Sequence, residues 1–133
     1  MTALEVHGES FQGTDFYLDA AVTIASDTSD DDVLLVTSDV SGSISLDIFE
    51  AGNATAVYST TFAASTVIVN TPLPWRLDSI GRNFRKKIAD ATVGAGGTVL
   101  RGGRDYDCIV RIPTVADGTL RLKFVQTIKP IQV

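Results

Sequence analysis

Apolar and polar residues alternate with a period of two along most of the chain, which is the pattern of β-strands that bury one face. The clearest case is residues 43–48, where Ile44, Leu46 and Ile48 alternate with polar residues. The same periodicity, with many Thr, Val, Ile and aromatic residues, predicts further strands. These cover residues 16–25, 32–38, two segments within 54–70, and residues 82–88, 106–112 and 120–125.

Residues 82–88 are the one stretch where a helix competes with a strand. Phe84 and Ile88 fit helical spacing together with Ala91, yet the same two residues also fit a period of two. We favour an extended strand. Before it, Pro72 and Pro74 cannot donate to a sheet ladder, which predicts an edge or crossover segment.

The C-terminal part predicts a β-hairpin with one buried side. Residues 106–112 and 120–125 both alternate, and the pair Asp117-Gly118 between them suits a tight turn. Seven or more short strands without a convincing long helix predict an all-β fold. We expect a single antiparallel β-sandwich over residues 16–133, preceded by a flexible N-terminal arm over residues 1–15.

A tyrosine follows a pair of glycines at the start of the hairpin. Leu100, Gly103 and Tyr106 have the spacing of a chain that turns sharply from one sheet to another, with the ring buried and the hydroxyl bound to the turn's main chain. This stretch resembles the E–F corner of immunoglobulin-like and fibronectin type III domains. The resemblance implies that Cys108 stands where immunoglobulin domains place a cysteine. Cys108 is the only cysteine, so we interpret it as a buried apolar group.

The charges of the chain are divided at residue 70. Residues 1–70 contain eleven Asp and Glu and no Lys or Arg, whereas all eleven cations lie in residues 71–133. Two interpretations remain open: oppositely charged strands lie side by side within the fold, or complementary surfaces join different copies. The acidic half would repel phosphates, so we do not expect nucleic-acid binding.

No residue pattern predicts a catalytic or metal-binding site. The glycines at 94–97 lack the strand–loop–helix context of a phosphate-binding loop. His7 is the only histidine, and we expect it to be exposed. The acidic stretch 26–32 could offer carboxylates to calcium but lacks an EF-hand pattern, so a solvated turn is the favoured interpretation. We therefore expect no enzyme activity and no cofactor.

Cations and aromatic residues are concentrated in residues 75–87, here called the basic segment. Arg and Trp are enriched at the energetic centres of protein interfaces, although a tryptophan also suits the core of a sandwich. The protein-interface candidates are Trp75, Arg76, Arg82, Arg85, Lys86 and Lys87.

The last sixty residues resemble, in style, the small virion structural proteins of tailed bacteriophages. The stretches that carry this resemblance are PLPWRLDSIGRNFR, GGRDYDCIVRI and DGTLRLKFVQTI. The N-terminal stretch has no basic region and no long apolar run, so we expect no signal peptide or membrane span and synthesis in a cytoplasm. The resemblance implies a protein of the virion that decorates or cements a capsid lattice as a homo-oligomer or lattice-bound subunit. A tail or neck component and a carbohydrate- or host-surface-binding sandwich module are the alternatives.

Overall fold

A computed structural model describes residues 4–24, 33–73, 82–89, 100–116 and 118–130. The fold is all-β, as predicted: these ranges contain ten strands and two single-turn 3₁₀ helices. No helix in them has the length and apolar character needed to cross a membrane. The strands are β1 (Leu4–Phe11), β2 (Phe16–Ala20), β3 (Thr23–Ile24), β4 (Val33–Leu34), β5 (Ile44–Glu50), β6 (Ala56–Phe62), β7 (Ile68–Leu73), β8 (Arg82–Ile88), β9 (Arg104–Pro113) and β10 (Thr119–Lys129).

The described strands form three sheets. The largest has five strands in the order β1-β10-β9-β5-β6, the second has the order β2-β8-β7, and the third is the short β3–β4 pair. All pairings are antiparallel except that of β1 with β10, which is parallel and departs from the antiparallel arrangement that we predicted. The β9–β10 hairpin pairs in continuous register from Thr119↔Pro113 to Ile128↔Arg104.

Residues 4–11 correct the predicted N-terminal arm, because they form β1 and pair along their whole length with β10. A side chain at Gly8 would meet the Gln126 amide oxygen at 2.7 Å, so glycine leaves room for this buried residue. Gln126 in turn donates from Nε2 to the Ser10 hydroxyl at 3.0 Å. Ser10 of this stretch therefore faces a polar group inside the fold, and Gly8 leaves space for it.

The five-stranded and three-stranded sheets contribute to one hydrophobic core. In β5, the side chains of Ile44, Leu46 and Ile48 are fully buried, as the alternation predicted. Phe84 of β8 stacks on Phe124 of β10, with ring centroids 5.9 Å apart. Side chains from both sheets therefore pack directly against each other.

Residues 82–88 form a strand, which confirms the extended alternative over a helix. The predicted strand over 32–38 is wrong in its second half, where Thr37–Asp39 form a 3₁₀ turn. The physical reason is local: the Asp39 carboxylate accepts a hydrogen bond from the Val36 N–H at 3.0 Å, and such side chains compete with strand pairing.

Candidate interaction site on strand β8

The predicted corner residues lie just before and within the start of β9. Leu100 and Tyr106 are buried, and the Tyr106 hydroxyl accepts a hydrogen bond from the Arg101 N–H at 2.7 Å. Gly103 has φ of +82°, a conformation that favours glycine, and its N–H donates to the Ile128 carbonyl at 2.7 Å. The stretch thus fastens the entry of β9 to the end of β10 and carries no reactive group.

Two arginines of the basic segment pair with a carboxylate of β2. Strands β2 and β8 lie side by side, with Asp19 opposite Arg85. The Nε atoms of Arg82 and Arg85 each lie 3.5 Å from Asp19 Oδ1, and none of these three buried atoms forms a hydrogen bond of good geometry. Arg82 and Arg85 therefore neutralise an acidic neighbour within the fold.

The other half of β8 presents its cations differently. Lys87 lies 3.5 Å from a carboxylate oxygen of Asp15, and both side chains are about half exposed. The Lys86 ammonium lies 4.8 Å from the centre of the Phe62 ring, a cation–π distance. Lys86 has no carboxylate partner among the described residues, so its charge is not neutralised there.

Arg85 also covers an exposed aromatic ring on the outer face of the small sheet. Its guanidinium carbon lies 3.8 Å from the centre of the Tyr17 ring, and 46% of Tyr17 is exposed. An arginine stacked on an accessible tyrosine is a combination that interfaces favour.

A cleft of about 260 Å³ opens beside this end of β8. Its lining combines apolar residues with Tyr58, Thr60 and two lysines, and the Lys86 ammonium lies over the Phe62 ring on this side of β8. Such a lining would suit an acidic group attached to an apolar stem. The lining residues are Leu46, Tyr58, Thr60, Lys86, Lys87, Ile88 and Ala89. Both Lys86 and Lys87 of the candidate set border this cleft, but their side chains leave β8 on opposite faces: Lys86 lies by Phe62, and Lys87 lies by Asp15.

Other sequence candidates lie outside the described residues. These are Trp75 and Arg76 of the basic segment, the acidic stretch 26–32 and the glycine-rich stretch 94–97. His7 is exposed on β1 and lies 2.8 Å from Glu5. Within the described ranges, no group of three or more His, Cys, Asp or Glu side chains is placed to hold a metal ion.

The division of charge at residue 70 is bridged by ion pairs inside the fold. Every Lys or Arg ion pair among the described residues joins an acid from the first part to a cation from the second. Besides those of β8, the pairs are Glu50–Arg104, Asp47–Arg111 and Glu9–Lys129. The side-by-side interpretation is confirmed for these pairs.

Sequence reasoning missed Asn83, a fully buried polar residue next to the candidate cations. Its Oδ1 accepts from the Val22 N–H at 2.7 Å, and its Nδ2 donates to the carbonyls of Val22 and Leu35, both at 2.8 Å. The only available signal was an asparagine inside a predicted strand, where this residue type is rare. Asn83 holds the loop segments beside β8 in place.

Burial raises the pKa of the Cys108 thiol from 9.0 to about 12, with a further contribution from the negative charge of Asp107. A thiol held protonated is a poor nucleophile, because the thiolate is the reactive form. Cys108 is therefore a packing residue, consistent with its position on the inner face of β9.

The chain matches no protein-family model, no curated protein and no solved structure.

Proposed function

We propose that this chain is a non-enzymatic structural protein of a virus particle, which docks on an acidic surface of a neighbouring virion protein through the Lys86–Lys87 end of β8. The neighbouring surface is that of a capsid lattice, on which the chain acts as a decoration or cement subunit. The observation that carries the proposal is the cleft at this end of β8, where Lys86 has no carboxylate partner among the described residues and lies beside apolar and hydroxyl-bearing residues.

The charge balance around β8 supports a docking role. Four cations on this strand face two carboxylates, Asp15 and Asp19, so positive charge remains after the internal pairs are formed. One of the two remaining positive charges is that of Lys86 at the cleft, and the other stays with Arg82 and Arg85, which share the single charge of Asp19. Exposed charge steers association and sets specificity more than affinity, and many copies on a lattice would multiply a weak contact.

The strand order supports an immunoglobulin-like sandwich as the scaffold. In variable-type domains, one sheet has strands G, F, C and C′ adjacent and the other has B, E and D. The orders β10-β9-β5-β6 and β2-β8-β7 correspond to these two sheets, and Tyr106 lies near the start of the strand that would be F. Such a scaffold leaves function to its surfaces.

The experiment measures cosedimentation of the purified chain with capsids, and separately with tails, purified from the same source. We expect binding to capsids and a loss of affinity of about tenfold or more in the double variant Lys86→Gln with Lys87→Gln. The matched control is Arg121→Gln with Lys123→Gln. It removes the same charge from β10, where neither side chain has an ion pair among the described residues.

Three results would count against the proposal. Equal effects of the two double variants would show that net charge, and not the β8 site, governs binding. Binding to tails alone would support the tail or neck alternative. Absence of binding to either particle, together with retention on a glycan array, would favour the carbohydrate-binding module. For that module, Tyr17 and Phe11 are the exposed aromatic side chains in the described ranges.

A further inference from the structure

Strand β6 forms one edge of the five-stranded sheet. It pairs with β5 through the register Ile44↔Phe62 to Phe49↔Ala56, and no other described strand lies beside it. One side of its main chain therefore has no strand partner among the described residues. An exposed edge of this kind is a template for pairing with another chain.

The two edges of this sheet differ in charge. The opposite edge, β1, carries Glu5, His7 and Glu9, and charged side chains are a common protection against edge-to-edge pairing. Strand β6 reads AVYSTTF and contains no charged residue, proline or glycine. It lies in the longest uncharged stretch of the chain, from residue 51 to residue 75. The protection seen on β1 is absent from β6.

The side chains of β6 also suit an additional strand. Val57, Ser59 and Thr61 are exposed on one face, whereas the alternate residues are half-buried. These residue types favour pleated structure, and the strand is already held extended by β5. A partner strand would therefore meet a preorganised edge, which reduces the cost of ordering.

We propose that β6 pairs antiparallel with β6 of a second copy about a twofold axis, which joins two five-stranded sheets into one continuous sheet. A twofold interface must be self-complementary, and an uncharged strand meets its own copy without like-charge repulsion. Ser59 is the middle residue of β6, so it lies opposite its own copy, and Val57 lies opposite Thr61 of the second copy. This inference does not rest on the proposed docking role of β8.

The first experiment measures molecular mass by sedimentation equilibrium over a range of concentrations. We expect a concentration-dependent dimer of the full chain. The double variant Val57→Lys with Thr61→Lys places lysine opposite lysine at two positions and weakens the dimer by about tenfold or more. The control variant Thr119→Lys adds a lysine at an exposed position of β10, an interior strand, and leaves the dimer unchanged.

Charge exchange tests the pairing itself. A second double variant, Val57→Glu with Thr61→Glu, is expected to be monomeric alone and to form a heterodimer when mixed with the lysine double variant. Ser59→Cys adds a check of register, because mild oxidation should link two copies, whereas buried Cys108 stays reduced. A monomeric wild-type chain at all concentrations, or two double variants that do not associate when mixed, would overturn the proposal. Cosedimentation with capsids by the monomeric lysine variant would show that docking is separate from self-pairing.

Discussion

Asn83 and Tyr106 are both buried polar residues, and both bind main-chain groups, but they work over different distances in the sequence. Asn83 bonds to Val22 and Leu35, which lie 61 and 48 residues away. Tyr106 accepts a bond from Arg101, only five residues earlier. Asn83 therefore joins distant segments, whereas Tyr106 clamps a local turn. Two buried polar groups can thus both be hydrogen-bonded and still have very different structural roles.

The number of groups that depend on each side chain also differs. Three main-chain groups would lose a partner without Asn83, namely the N–H of Val22 and the carbonyls of Val22 and Leu35. Without the Tyr106 hydroxyl, the Arg101 N–H would lose the hydrogen bond that it donates to it. Because a buried group without a hydrogen bond costs free energy, replacing Asn83 should lower the free energy of unfolding more than replacing Tyr106.

The first prediction is that Asn83→Leu lowers the free energy of unfolding by about 3–5 kcal/mol. Leucine has the same number and branching of side-chain heavy atoms, so the loss reports unsatisfied main-chain groups and not a cavity. Chemical denaturation followed by circular dichroism measures it. Asn83→Asp is the companion variant: it keeps an acceptor for Val22 but turns a carboxylate toward two carbonyls. Acidic pH should restore part of its stability, because a protonated carboxyl regains one donor. A smaller loss of unfolding free energy in Asn83→Leu than in Tyr106→Phe would contradict this ranking.

The second prediction is that Tyr106→Phe costs about 1–3 kcal/mol of unfolding free energy. The ring stays buried, and the Arg101 N–H loses its 2.7 Å partner. Tyr58→Phe is a matched control, because the half-buried Tyr58 hydroxyl has no hydrogen bond among the described residues. We expect the control to change stability by less than about 0.5 kcal/mol. Equal effects of the two variants in the same denaturation assay would show that the hydroxyl of Tyr106 does not clamp the corner.

These two residues also show why part of the fold could be predicted from the sequence. The partner of Tyr106 lies within a few residues, so a spacing rule was sufficient to suggest a bond to the turn. The alternation of β5, β9 and β10 is likewise local, and it gave the buried faces correctly. The partners of Asn83 depend on which loops pack beside β8, and no local pattern contains that information.

The candidate site could be predicted only in part from the sequence, for the same reason. Clustered cations in the sequence suggested an exposed surface, but the pairing of β2 with β8 places Asp19 between Arg82 and Arg85. Strand β1 was misassigned because its parallel pairing with β10 joins the two ends of the chain. Long-range pairing, and not residue type, decides which charges remain available to a partner.

Cys108 extends the comparison to a buried group that makes no hydrogen bond among the described residues. Its pKa is raised from 9.0 to about 12, mainly by burial, so the folded chain keeps the thiol while the unfolded chain ionises above pH 9. The stability that this group provides is complete below pH 9 and is lost as the pH rises toward 12. Between pH 8 and pH 10, the wild-type chain should lose about 1.4 kcal/mol more than Cys108→Ala.

Denaturant titrations of both chains at the two pH values measure this difference, and effects of pH that do not involve Cys108 are common to both chains and cancel. Parallel pH dependences would mean that the thiol reaches solvent in the folded state, contrary to its burial on the inner face of β9. A steeper loss of unfolding free energy with pH in the wild-type chain would show that Cys108 contributes to stability through its exclusion from water. Asn83 and Tyr106, by contrast, need specific hydrogen-bond partners in addition to burial. Burial alone therefore does not determine what a polar group contributes to stability.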